Sequence, residues 1–129
     1  GLFRGAAEGD LERLAGIVRP QVLRNGEVLA RAGEEASRVF ILRSGAVKAW
    51  APSDFGESAG AEYAEAGALI ERESLRDGFV WPCSLRSSDE VTVVLWISKL
   101  TLDAMFEGAS EQLLRNLESS DSSAWWPFR

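Results

Sequence analysis

Three glycines cut the stretch from Val22 to Trp50 into strand-sized apolar pieces, and no other feature of the chain limits its fold as much. Gly26, Gly33 and Gly45 stand where a backbone must turn sharply, a conformation that costs glycine less than any other residue. The pieces between them predict consecutive antiparallel strands near 21–24, 28–31, 38–43 and 46–50, with Asn25-Gly26 as the strongest turn signal. A segment interrupted this often cannot build long helices. It can build a β-roll.

The flanking sequence adds helices and more strands. Leu11, Leu14, Ile17 and Val18 recur at helical spacing, with Asp10 or Gly9 to start a helix and Pro20 to end it. From Ala51 to Ala61 the composition turns to Pro, Ser, Asp and Gly without an apolar period, which predicts an exposed loop. Ala68 to Leu75 has good helix formers, enough for one or two turns before Asp77-Gly78. Strands follow at Cys83 to Arg86 and Val91 to Ile97, joined by Ser88-Asp89-Glu90. Ser98 then fits as the N-cap of a helix with Leu100, Leu102, Met105 and Phe106 on its inner side. A last helix from Ser110 to Leu117 leads into a serine-rich linker and the aromatic end Trp125-Trp126-Pro127-Phe128. The expected division is therefore a domain over 1–118 and a mobile tail over 119–129.

Two turn Gly-Glu pairs seven residues apart, then Phe40-Ile41 and Ser44-Gly45-Ala46-Val47, carry a resemblance to the cyclic-nucleotide-binding domains. Such domains occur in catabolite-activator-type regulators, in regulatory subunits of cyclic-nucleotide-dependent kinases and in gated channels. The resemblance covers roughly residues 2 to 106 and is specific in the first half. It implies a mainly β fold with flanking helices, a β-roll or jelly-roll barrel of about eight strands. It also implies cyclic AMP or cyclic GMP as ligand and other domains or partner proteins as the readers of binding.

Holding a cyclic phosphate requires a guanidinium, backbone N–H groups at a short helix start and an acid for the ribose hydroxyl. The family supplies these through a Phe-Gly-Glu start, a short helix and a Pro-Arg-Ala-Ala stretch. On the matched register the ligand pocket falls on Leu69, Ile70, Glu71, Trp81, Pro82 and Cys83. Trp81 stands at the arginine's position, and no Arg or Lys occurs between Asp77 and Ser84. Leu69-Ile70-Glu71 keeps the acid but lacks the glycine that allows close approach.

Phe55-Gly56-Glu57 spells the motif outright, yet it follows Gly45 by only ten residues and has Ala66, not arginine, eleven residues later. Arg72 and Arg76 sit among Glu71, Glu73 and Asp77, as in surface helix pairs, and Arg86 alternates with Leu85 and should point outward. Trp81 either plugs the pocket or packs in the core beside it.

Bulk properties exclude other classes. The 129 residues contain no histidine, which removes the commonest general base and metal ligand, and the carboxylates are scattered. An enzyme of the cupin kind is thereby disfavoured, and no metal or bound cofactor is expected. Cys83 is the single cysteine and reads as a small buried hydrophobe. Net charge is −6, with six acids against one base over 51–75, a distribution that repels nucleic acid. The longest apolar stretch, Val93 to Ile97, is too short to span a membrane.

These features predict a regulatory, non-enzymatic domain of a larger protein, placed in the cytoplasm or on the cytoplasmic side of a membrane protein. It should bind cyclic AMP or cyclic GMP weakly or not at all and act through interdomain or protein contacts. The alternative is a sensor that holds a cyclic nucleotide or another small molecule through unusual contacts.

Overall fold

The computed structural model describes residues 16–105. Those residues contain seven strands: β1 Arg19–Arg24, β2 Val28–Ala30, β3 Arg38–Ser44, β4 Val47–Ser53, β5 Gly56–Tyr63, β6 Ser84–Ser87 and β7 Val91–Ser98. A 3-10 turn at Arg72–Leu75 lies between β5 and β6, and helix α1 spans Lys99–Met105. All but the last residues of the N-terminal helix, the helix at 110–117, the tail and the 118/119 boundary lie outside the described residues.

The strands form two antiparallel sheets, β1-β7-β3 and β2-β6-β4-β5, which make a roll rather than a closed barrel. The glycine-bounded strands are where the spacing puts them, but consecutive ones do not pair. β1 pairs with β7, β2 with β6, and β3 with β7, so the turns at Gly26, Gly33 and Gly45 carry the chain from one sheet to the other. All three glycines have φ between +84° and +91°.

The core lies between the sheets. Phe40, Leu42 and Val94 from one sheet meet Ala30, Val47, Ala49 and Leu85 from the other, and Ala36, Ile70 and Trp81 complete the cluster from the connecting segments. Alternation accounts for the inward set on β4 and β6, whereas β3 is buried from Val39 to Leu42 on both faces. Arg86 points outward, as its alternation with Leu85 predicts, and donates to Glu57 Oε1 at 2.7 Å.

Three local expectations are corrected. The 51–61 segment is not a loop: β4 runs on to Ser53 and pairs with β5 through a tight turn at Asp54-Phe55. β5 lacks an apolar period because seven of its eight residues are exposed, so hydrogen bonding to β4, not burial, holds it. The helix foreseen over 68–75 shrinks to the four-residue 3-10 turn, since residues 67–70 bond to β3 instead. In α1 the Ser98 Oγ accepts from the Thr101 N–H at 3.0 Å, as an N-cap should, and Leu102 is buried. Leu100, however, is 85% exposed: only one residue in each turn of this short helix faces the roll. No helix among the described residues is long and apolar enough to cross a membrane.

Candidate functional site

The segment from Gly67 to Cys83 carries every residue of the expected pocket, and its backbone is tied into the roll along most of its length. Gly67 N–H donates to Leu42 C=O at 2.7 Å, Leu42 N–H to Ala68 C=O at 2.9 Å and Ile70 N–H to Phe40 C=O at 2.9 Å. Leu69 bridges antiparallel to Ile41. This stretch therefore extends the edge of β3, with Leu69 half-buried and the Ile70 side chain fully buried in the core.

Glu71 ends that extension with φ 53° and ψ 88°, the sole positive φ of a non-glycine among the described residues. Its Oε1 accepts from the Glu73 N–H at 3.1 Å and caps the 3-10 turn. Its Oε2 lies 3.4 Å from the Tyr63 hydroxyl, which donates to it from the end of β5. Burial, and then the Glu71 charge, push the Tyr63 phenol up to about 12. The same two causes raise the Cys83 thiol, which suppresses its thiolate and with it any nucleophilic role. Tyr63 was not singled out by sequence reasoning. Its position, closing β5 eight residues before Glu71, becomes meaningful only once β5 is known to be a strand.

Trp81 is 3% exposed. Its N–H donates to Glu34 C=O at 2.9 Å and its C=O accepts from Gly33 N–H at 2.8 Å, while Glu35 bridges to Val80. The ring lies 5.6 Å from Phe79, edge to face, and 6.4 Å from Phe40, within the range where aromatic pairs add stability beyond area burial. Pro82 is exposed, and Cys83 is half-buried against the core cluster. The structure thus brings Ile70, Trp81 and Cys83 to one core and sets Glu71 beside Tyr63 at its margin.

Two hollows open near the site. One of about 250 Å³ is lined by Leu29, Glu34, Arg38, Phe40 and Trp81, among others. The other, of about 520 Å³, lies between the start of β3 and α1, with Arg38, Asp77, Lys99 and Asp103 on its walls. Of the six expected pocket residues, only Trp81 lines either one. The guanidinium they share, Arg38, sits 4.0 Å over the Trp96 ring, a cation–π contact.

Phe55-Gly56-Glu57 forms a hairpin tip: Phe55 is wholly exposed, Gly56 opens β5, and Glu57 pairs with Arg86. Arg76 pairs with Glu73 and its C=O accepts from Lys99 Nζ at 2.8 Å, so this arginine serves the surface of the turn.

The Tyr63–Glu71 contact makes stability depend on alkaline pH. In the unfolded chain a tyrosine loses its proton near 10.0, while folded Tyr63 keeps it to about 12. The folded state then binds more protons than the unfolded one between these values, and stability falls as pH rises through that window. Tyr63→Phe should remove this component of the fall and leave stability at pH 7 to 9 little changed. Urea unfolding of both proteins from pH 7 up through the window between 10.0 and about 12 measures it, and equal alkaline losses in both would refute the assignment.

Comparison with known proteins agrees with the fold. The family model described as "Cyclic nucleotide-binding domain" matches residues 20–108. The structure of a cyclic nucleotide-binding-like protein from Brucella abortus is similar, with 25% identity and a TM-score of 0.71 over 83% of this chain and 90% of that one. The Thermus thermophilus catabolite activator protein shares the fold at 20% identity and TM-score 0.69, covering 93% of this chain and 59% of that one. So does the regulatory subunit of a cAMP-independent protein kinase A from Trypanosoma brucei, at 16% identity and TM-score 0.72, covering 92% of this chain and 43% of that one. The chain thus spans only part of the length of the latter two. No curated protein matches it in sequence.

Proposed function

This chain belongs to the cyclic-nucleotide-binding domain family, and we propose that within it the chain is a contact-making regulatory domain whose cassette binds cyclic AMP or cyclic GMP weakly or not at all. The family is regulatory rather than catalytic. The observation that carries the proposal is that Trp81, which the resemblance sets at the phosphate-binding arginine's position, is buried against Phe40 and Phe79. A side chain so enclosed presents no charge to a phosphate, and no Arg or Lys lies between Asp77 and Ser84 to replace it.

Two further observations support this reading. The positive φ of Glu71 favours setting the motif's glycine at 71 rather than 70, which leaves Arg72 where the acid belongs. On that register the ribose acceptor is lost together with the glycine. The Glu71 carboxylate also already accepts from Tyr63 and from the Glu73 N–H. A parallel is the Trypanosoma brucei subunit named above, which is the regulatory subunit of a cAMP-independent protein kinase A.

The domain then works by contact with other domains of its own protein or with a partner protein, in the cytoplasm. Calorimetric titration of the purified chain with cyclic AMP and with cyclic GMP should give no saturable heat. A dissociation constant in the low micromolar range or tighter for either one defeats the proposal.

A further inference from the structure

Each open edge of the two sheets should be blunted, because unpaired strand edges recruit other strands. β1 carries Arg19, Pro20 and Arg24, β2 has only three residues, and β3 is covered by residues 67–70. Among the described residues β5 is the exception. It ends the four-stranded sheet, is eight residues long, contains no Lys, Arg or Pro, and is exposed along seven residues.

The backbone groups facing that open edge can be identified. Pro52 has no N–H and stands opposite Glu57 in the register, so this is not a pair that exchanges two hydrogen bonds. The register is regular from there to Trp50↔Ala59, two residues on, so the alternation gives both pairs the same character. The N–H and C=O of Glu57 and of Ala59 therefore point away from β4. The bulge opposite Ala49 lies beyond this stretch and leaves it straight. Ser58, Ala59, Gly60 and Ala61 offer little bulk to obstruct a neighbour.

Charge selects the neighbour. From Ala49 to Leu69 the sequence holds Asp54, Glu57, Glu62 and Glu65 and no base. Lys48 and Arg86 sit on the inner strands at 5.7 and 5.8 Å from the Trp50 ring, and Arg86 already pairs with Glu57 Oε1 at 2.7 Å, so Asp54 and Glu62 carry the charge offered to a neighbour. A second copy of β5 would bring acid against acid, whereas a basic strand would complement it.

We propose that the outer edge of β5 is a strand-addition site for an extended, lysine- or arginine-rich segment of a partner protein. This names the partner in the contact role proposed above and rests on that role, but it uses no residue of the cassette. Backbone hydrogen bonds to Glu57 and Ala59 supply the docking, and the acidic rim supplies the preference.

The test uses the 129-residue chain and two capped octapeptides, one alternating lysine with threonine and one alternating glutamate with threonine. Calorimetry should show saturable binding of the lysine peptide alone, with amide shifts confined to β5 and its turn. Ala59→Pro removes an outward N–H without touching the ladder to β4 and should weaken binding about tenfold or more. The double variant Asp54→Lys with Glu62→Lys should reverse the peptide preference, and it decides the matter if Ala59→Pro fails to fold. Equal binding of both peptides, no binding, or unchanged affinity in the variants overturns the proposal. So does concentration-dependent dimerisation abolished by Ala59→Pro, which would assign the edge to a second copy. A nucleotide that binds while the lysine peptide still docks defeats the cassette reading alone. A lysine peptide that fails while no nucleotide binds defeats the strand-addition proposal alone.

Discussion

Gly45→Ala should destabilise the domain by roughly 3 kcal/mol or more, because two independent penalties fall on the same atom. With φ at +85°, any L side chain is strained there. A Cβ would also come within 2.6 Å of Val91 C=O and Thr92 Oγ1 and 2.7 Å of Thr92 Cα. Two of those atoms are backbone of β7, the strand that pairs with both β1 and β3, so relief requires moving the centre of a sheet. The displaced hydroxyl is in use as well: Thr92 Oγ1 donates to Ala46 C=O at 3.0 Å and lies 2.7 Å from Ser87 Oγ. Gly33→Ala is the internal control. It has a similar φ of +91° but nothing within 4 Å of a new Cβ, so only the backbone penalty of about 1–2 kcal/mol should appear. Urea denaturation of the two variants beside the parent measures the difference, and equal losses would show that the close approach to β7 is wrong.

Trp81→Ala should cost about 3–5 kcal/mol, the range for deleting a large buried aromatic. The ring is 3% exposed, contacts Phe40 and Phe79, and belongs to the central cluster together with Ile70, Leu85 and Val94. Domains of this size are commonly stable by only about 5–15 kcal/mol, so this single truncation threatens the fold. Trp81→Arg should be no gentler, since it sets a guanidinium among aromatic rings without a carboxylate partner. Thermal unfolding of Trp81→Ala, Trp81→Phe and Trp81→Arg orders these effects, with Trp81→Phe expected to lose least. If Trp81→Arg proved as stable as the parent and gained affinity for cyclic AMP, the ring would be a plug over a functioning pocket and not a core residue.

Strand positions were legible because they rest on local rules. Glycines with positive φ and apolar pieces of strand length mark β1 to β4 to within a few residues, and Ser98 declares its own helix. β5 was not legible. Gly56–Tyr63 carries no apolar stripe because only Tyr63, at its end, packs against the core, and pairing with β4 makes the rest a strand. The expected cassette was half legible: the absence of Arg and Lys can be read off Gly78 to Cys83, but the sequence does not say whether Trp81 faces a pocket or the core. Tyr63 meets Glu71 across a strand end, a contact no spacing rule anticipates.

By itself the sequence determined a glycine-turned roll, the family it resembles and the lack of any Arg or Lys from Gly78 to Cys83, since turn geometry and residue identity are properties of single positions. Only the tertiary structure decided that β1 to β4 alternate between two sheets, that Trp81 is part of the core and that β5 leaves an acidic edge open among the described residues. Those are relations between residues far apart in the chain, settled by which surfaces can be buried together and which backbone groups find partners.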